Sequence, residues 1–397
     1  MRLVFIDLHL TNFLVRTYKQ IKDGNKIATY KHKFILDYAI NNNIEVCCYL
    51  SMEKSCRRGF GLYKNTPLVK MIVLNEFEYV MQNSYEEKLP IKPITDKNEI
   101  IETDLVIGYL YDNRQLEIMR ELNGIKVLMG NHFVAINQPI NLDDYGIKAF
   151  VNEIDLSDNE FVNRYIYGKG IKHITAPYIY AERFNNQNKI RKNKAMAIGT
   201  LSTCSGNSGY RLYREFTGTE WIQPLRKMIL DNKDDLREQV DSYISYIFED
   251  KMVINKEDSV FVKLYKKIKN YTIGWTQKNY MSFNMVDKFN EYKMFLCPEE
   301  EIGMPGIGFV EGMACGTAYI GLDAPYYRKL GLRPGEDFIT YDGTLENLKE
   351  VIHYYQEHGD ELEKIALSGT NFVRTHFNVK AVSESLFNCF ESMVSDV

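Results

Sequence analysis

Short apolar runs alternate with longer segments in which apolar residues return every three or four positions, and this pattern continues along most of the chain. Such alternation predicts β-α-β units and a parallel α/β fold. Leu3–Ile6 reads as the first strand, Ile27–Asn41 as a helix, Ile44–Leu50 as the next strand and Leu68–Leu74 as another. Asp104–Gly108 and Lys126–Met129 read as strands flanking a helix around Gln115–Leu122, and Lys172–Tyr180 as the last strand of the first half. The polar run Asn185–Lys189 then reads as a linker. In the second half, Lys194–Gly199, Phe295–Cys297 and Ala318–Gly321 read as strands, Asp342–His358 and Leu362–Phe377 as helices.

A chain of 397 residues exceeds the roughly 250–300 at which one hydrophobic core stops growing, so two domains are expected. With 45% hydrophobic and 26% charged residues the composition is that of a globular protein, which excludes disorder. The net charge of −4 excludes a globally basic nucleic-acid binder. Seven scattered cysteines without a Cys-x-x-Cys pair read as reduced thiols, and no run approaches the roughly 20 apolar residues of a membrane span, so a cytoplasmic protein is expected. The segment Lys54–Lys70 carries Lys54, Arg57, Arg58, Lys64 and Lys70 among Phe60, Leu62 and Tyr63. It suits an anionic membrane surface at the inner face or a lipid-diphosphate acceptor, although a solvated loop needs no partner at all.

Two segments carry candidate chemistry. After the strand Lys194–Gly199 the chain runs Ser202-Thr-Cys-Ser-Gly-Asn-Ser-Gly209 into a helical segment near Tyr210. Strand, Gly-rich loop and helix start form an anion cradle, because backbone N–H groups converge there. The spacing matches neither the P-loop nor the dinucleotide-binding fingerprint. The second segment is Pro298-Glu-Glu-Glu-Ile-Gly-Met-Pro-Gly-Ile-Gly-Phe-Val-Glu-Gly-Met-Ala-Cys-Gly-Thr317. Gly303, Gly306 and Gly308 allow a backbone to approach a ligand closely, and Glu311 falls in the first turn of the helix that follows. No His-x-x-x-His, clustered Cys/His or Asp-x-Asp is present, so no metal cofactor is expected.

This second segment resembles the carboxy-terminal half of GT-B glycosyltransferases, above all the retaining family 4, whose usual wording is Glu-Ala-Met-Ala-Cys-Gly-Thr-Pro. Glu311-Gly-Met-Ala-Cys-Gly-Thr317 matches six of those eight positions, with Gly312 for Ala and Ala318 for Pro. Fainter echoes are Ile174–Phe184, similar to the family's domain-junction strand, and Gly130-Asn-His132, placed where many members carry a sugar-contacting His. The resemblance implies two Rossmann-like domains facing each other across a cleft, about 1–185 for the acceptor and about 190–370 for a nucleotide-sugar. The segment 371–397 would be a helix crossing back to the first domain.

The resemblance also implies roles. Glu311 would bind the donor's ribose, with Gly306, Ile307, Gly308 and Phe309 around the phosphates or sugar. Arg211 and Arg214 would grip the diphosphate, with Lys227 beside them and Arg226 in reserve, because the family's usual Arg and Lys are not in their common spacing. His132 would contact the sugar or, in an inverting enzyme, take the acceptor's proton. The family pairs two glutamates separated by seven residues, and Gly303 stands at the first position, with Glu299, Glu300 and Glu301 just upstream. The amino-terminal Gly-Gly loop is also missing. The implied activity is metal-independent transfer of a sugar from a nucleotide-sugar to a glycan or lipid-linked acceptor in surface polysaccharide synthesis. A catalytically inactive GT-B-like partner subunit and a GT-B-fold nucleotide-sugar epimerase are the alternatives.

Overall fold

A computed structural model describes residues 1–10, 14–22, 32–52, 66–85, 87–110, 113–130, 136–204, 208–246, 259–280 and 284–395. The chain divides into two compact units: Met1–Val134 with Pro139–Pro177 and Val379–Val397, and Ala135–Gln138 with Tyr178–Asn378.

In the first unit β1 (Arg2–Ile6) leads through α1 (Tyr18–Lys22) and α2 (Lys33–Asn41) to β2 (Glu45–Tyr49). Next come α3 (Pro67–Asn83), β3 (Lys92–Ile94), β4 (Asp104–Tyr109), α4 (Asn113–Glu121) and β5 (Ile125–Met129). The short β6 (Ile140–Asn141), β7 (Ile147–Asn152), α5 (Glu160–Tyr165), β8 (Ile166–Tyr167) and β9 (Lys172–Thr175) complete this stretch. Seven strands form one sheet in the order β3-β2-β1-β4-β5-β7-β9, and each pairing is parallel. Its central strands are buried along their length, as expected where helices cover both faces.

Two elements depart from expectation: the strand expected over Lys172–Tyr180 ends at Thr175, and another segment changes type. Leu68–Leu74 is not a strand but lies within α3, which starts on Thr66, whose side chain accepts a hydrogen bond from Val69 N, and on Pro67 in its first turn. Val69, Val73, Phe77, Val80 and Met81 point inward at helical spacing, a period visible only over the full 17 residues.

The second unit contains β10 (Lys192–Ala197), β11 (Thr200–Leu201), α6 (Arg211–Thr217), α7 (Pro224–Asp231), β12 (Val240–Ser242), β13 (Ser245–Tyr246) and α8 (Val260–Tyr280). It continues with α9 (Met285–Glu291), β14 (Tyr292–Leu296), α10 (Gly308–Ala314), β15 (Ala318–Leu322) and α11 (Pro325–Lys329). β16 (Ile339–Tyr341), α12 (Leu345–Glu357) and α13 (Gly359–His376) close it, and the chain then returns to the first unit as α14 (Val379–Ser395). The five-stranded parallel sheet runs β12-β10-β14-β15-β16. Side chains alternate between its two faces: Met196, Phe295 and Tyr319 enter an aromatic core on one side, and Ala195, Met294, Leu296, Ala318 and Ile320 an aliphatic core on the other.

Both sheets are doubly wound, with strand order reversing between β1 and β4 in the first and between β10 and β14 in the second. At such reversals the loops diverge and leave a crevice outside the carboxyl ends of the strands.

The helix α10 packs onto β14 through Gly312, where a Cβ would lie 2.3 Å from the Phe295 ring. That ring is held by Phe289 and Tyr319, each 5.1 Å away between centroids. Gly312→Ala should therefore lower stability by about 1–2 kcal/mol, because overpacking outweighs the gain in helix propensity. In a double-mutant cycle measured by denaturation, Gly312→Ala with Phe295→Leu should cost less than the sum of the two. A neutral Gly312→Ala would show that the close packing is not required.

Candidate functional site

The crevice at the second reversal is built by two strand ends. β10 is followed by Ile198 and Gly199, the latter at φ 143°, and β14 by Cys297 and Pro298. Between them lies the guanidinium of Arg226, brought in by α7 and almost wholly buried, with a side-chain exposure of 3%. Its Nη1 donates to Thr200 O at 2.8 Å, its Nε to Pro298 O at 3.1 Å and its Nη2 to Glu300 Oε1 at 2.7 Å. One cation thus ties the start of β11, just past β10, to the turn after β14. Gly199 is required beside it, since a Cβ there would sit 2.5 Å from Arg226 Nε.

The turn folds back over this pair. A Cβ on Gly306 would come within 2.8 Å of Glu300 Oε1, and one on Gly308 within 2.9 Å of Cys297 Sγ. Burial pushes the Cys297 thiol up to about 12, so it is an inert packing group here. Ile302 (φ 48°) and Gly303 (φ 79°) both adopt left-handed backbone, and Glu300 N donates to Met304 O at 2.6 Å across the bend. A β-branched residue in that region is strained, and such strain persists only where the surroundings hold it. α10 follows, starting on Ile307 without a side-chain cap. Its first N–H groups face the crevice end of the helix, where the dipole favours an anion. At its other end Arg191 donates to Cys315 O (2.6 Å) and Gly316 O (3.1 Å), and Arg374 donates to Ala314 O (2.8 Å), complementing the negative pole.

Glu299 supports the turn from behind. It is fully buried, and its Oε1 accepts from Leu322 N and from the Tyr327 hydroxyl, both at 2.8 Å. Its Oε2 and the hydroxyls of Tyr326 and Tyr341 are buried without a hydrogen-bond partner. Burial pushes the Glu299 carboxyl up, against the Leu322 N–H and Tyr327 hydrogen bonds that favour its charge. Burial likewise raises Tyr319, Tyr326, Tyr327 and Tyr341, with the Glu299 charge adding to each.

The sequence-derived candidates fall in different places. Gly306, Ile307 and Gly308 form the turn into α10, and Glu311 is half-buried in its first turn. The Phe309 ring is fully buried against Tyr319, Tyr327 and Phe377, leaving only its backbone near the turn. Arg211 on α6 is exposed, donating to Asn137 O at 2.8 Å and lying 3.8 Å from Glu215. Arg214 is 3.7 Å from Glu220. Lys227 pairs with Asp231 and lies 5.1 Å above the Trp221 ring. Glu300 is the partner of Arg226, and the side chain of Glu301 lies outside the described set. His132 and the basic residues Lys54–Lys64 also lie outside the described residues, while Gly130 stands at the end of β5.

The first unit gathers buried polar groups at its own strand ends. Asp7, with φ 45°, follows β1 and accepts from Ser51 N at 2.8 Å. His32 Nδ1 is 3.1 Å from the Tyr109 hydroxyl at the end of β4, and its Nε2 is 3.9 Å from Glu153 Oε1 after β7. A cavity of about 450 Å³ opens near the ends of β2 and β3, with Tyr49, Ser51, Lys70, Asp96, Lys97 and Glu117 in its lining. Among the described residues no three His, Cys, Asp or Glu side chains converge as metal ligands would.

Residues 262–388, which span α10 and its neighbours, match the model of a family described as glycosyl transferase-like. Among solved structures, sucrose-phosphate synthase from Thermosynechococcus elongatus superposes with a TM-score of 0.52 at 9% identity, covering 100% of both chains. Anabaena Alr3699/HepE, solved with UDP and glucose, does so at 0.51 and 12%, covering 99% of this chain and all of that one. The chain has the GT-B fold. It spans 58% of the length of the pneumococcal O-GlcNAc transferase GtfA, which matches 75% of this chain at 14% identity and a TM-score of 0.41. A comparison of the whole sequence with curated proteins finds no match.

In this GT-B chain the turn rests on two residues that the sequence offers only in reserve, Arg226 for a diphosphate and Glu299 just upstream of the missing glutamate, and their structural roles carry no local signal. Arg226 has only a flanking Pro224 and no glycine motif beside it, and Glu299 is hidden in a run of three glutamates. Two predictions follow from the turn. Gly303→Glu, which places a glutamate at the first position of the family pair, should destabilise by about 1–2 kcal/mol, because a side chain must enter the left-handed region; chemical denaturation would detect it, and an unchanged midpoint would mean that the turn relaxes freely. Because the folded state holds the Glu299 proton more tightly than the unfolded chain does, stability should fall as pH rises above the ordinary carboxylate value of 4.5. Glu299→Gln should flatten that fall relative to the parent in melting curves across pH. Parallel curves would show that Glu299 titrates as an ordinary acid.

Proposed function

We propose that this protein transfers a sugar from a nucleotide-sugar, with UDP as the nucleotide, to a hydroxyl of a glycan or lipid-linked acceptor in surface polysaccharide synthesis. One observation carries the reading: a glycine-rich turn, held open by buried Arg226 at the strand reversal of the second unit, delivers an uncapped helix start with Glu311 in its first turn. That is chemistry for a nucleoside diphosphate. The turn and helix N–H groups stabilise the charge that grows on the leaving diphosphate as the glycosidic bond breaks. Glu311 accepts hydrogen bonds from the ribose hydroxyls.

Arg226 acts through the turn, because three of its N–H directions are committed to Thr200, Pro298 and Glu300. Arg211, Arg214 and Lys227, on the two helices that follow β10, are the cations assigned to the diphosphate, without a metal. The first unit takes the acceptor. Its cavity lined by Ser51, Lys70, Asp96 and Lys97 offers donors and acceptors for sugar hydroxyls, and the basic run Lys54–Lys70 suits a lipid diphosphate. His132 contacts the transferred sugar in this reading, and retention of the anomeric configuration is the expected outcome. The partner-subunit alternative draws on Gly303, whose left-handed backbone stands where the family carries its first glutamate.

A thermal-shift and calorimetric titration tests the proposal. A hundredfold excess of UDP over its Kd should stabilise the parent by about 2.7 kcal/mol. Glu311→Ala should weaken binding by about 2 kcal/mol, some thirtyfold in Kd, as expected for lost hydrogen bonds to a charged group. No stabilisation by any nucleotide or nucleotide-sugar at millimolar concentration would overturn the reading. Binding of UDP-sugars without turnover on any glycan acceptor would favour the partner subunit.

A further inference from the structure

The long helix α8 breaks the rule that a surface helix turns its apolar side inward. With successive side chains about 100° apart around the axis, Phe261, Leu264, Tyr265 and Ile268 share one face, and Lys263, Lys266 and Asn270 share the opposite one. The polar set is half-buried. The apolar set faces solvent: Phe261 is 85% exposed, Leu264 54%, Tyr265 56% and Ile268 59%. Contiguous exposed apolar side chains of this kind mark a surface that something else covers.

The charges on the helix choose what covers it. Lys267 and Lys269 are exposed on the two flanks of the apolar face, and Lys269 Nζ lies 5.7 Å from the centre of the Tyr265 ring. The helix contains no aspartate or glutamate, and the nearest acids in the sequence, Glu257 and Asp258, precede it. This concentration of positive charge runs against the chain's net charge of −4. A second copy docked on the same face would set one row of lysines against another, a like-charge arrangement that disfavours pairing. A bilayer with anionic headgroups satisfies both features, receiving the apolar side chains at the acyl boundary and the lysines among the phosphates. Among the described residues no helix is long and apolar enough to cross a membrane, so the fit is to a helix lying on the surface.

We infer that α8 is a membrane-docking helix that binds an anionic lipid surface through Phe261, Leu264, Tyr265 and Ile268, flanked by Lys267 and Lys269. This does not rest on the sugar-transfer reading, because lipid binding is measured without nucleotide or acceptor. The test is flotation of the full chain with phosphatidylcholine vesicles, alone or containing one part phosphatidylglycerol to two. The protein should float with the anionic vesicles and stay behind with the neutral ones, and raising salt from about 0.1 to 0.5 M should release it.

Leu264→Ser with Ile268→Ser should lower the partition at least tenfold. Lys267→Glu with Lys269→Glu should lower it by roughly fivefold or more for each lysine. All four side chains are exposed, so both variants should keep the parent's melting temperature and UDP response, and the charge variant provides a readout should the serine variant fold poorly. Three results would overturn the inference: no binding to anionic vesicles, binding unchanged in both variants, or a concentration-dependent dimer of the parent that Leu264→Ser with Ile268→Ser dissolves.

Discussion

The second unit depends on one buried cation. Arg226 reaches from α7 into the gap where the strand order of the sheet reverses, and its guanidinium joins the start of β11, just past β10, to the turn after β14 through Thr200 O, Pro298 O and Glu300. A guanidinium suits this place because its planar fork offers several donors at fixed angles and stays charged when buried. Two neighbouring carbonyls and one carboxylate need such a fork, and a lysine would satisfy them one at a time. The glycines follow from it: Gly199 and Gly306 are small because the guanidinium and its carboxylate partner occupy the space their side chains would need.

The helix α10 is oriented by the same logic at both ends. Its start is left to the crevice, without a side-chain cap, and its finish is closed by Arg191 and Arg374 on the carbonyls of Ala314, Cys315 and Gly316. Between these ends Gly312 lets it rest on the Phe295 ring. A short helix fixed this way can present backbone N–H groups to an anion without reorganising, which is what electrostatic stabilisation of a leaving diphosphate requires. Glu299, buried under the turn and shared by Leu322 N and Tyr327, ties that presentation to the ends of β15 and the helix after it.

Legibility varied with the range of the forces involved. The strand around Phe295–Cys297, the glycine-rich turn and the helix with Glu311 in its first turn could be read because apolar period, glycine placement and a first-turn glutamate are local signals. Leu68–Leu74 reads as a strand by itself because seven apolar-rich residues do not separate a period of two from one of 3.6; the helical period needs the inward positions Phe77, Val80 and Met81. Arg226 carried no local mark. Its partners are 26 to 74 residues away in sequence, and nothing in α7 announces them.

What the sequence by itself determined is the alternation of strands and helices, the two-domain scale, and the glycine-rich turn leading into a helix with Glu311, since each rests on side-chain periodicity and backbone freedom within a few residues. Only the tertiary structure decided which cation is buried at the strand reversal, that Glu299 lies behind the turn while Glu300 faces Arg226, and that α8 half-buries Lys263, Lys266 and Asn270 while Phe261, Leu264, Tyr265 and Ile268 face out. Those outcomes depend on desolvation and on partners distant in the chain, and a local pattern carries no record of either.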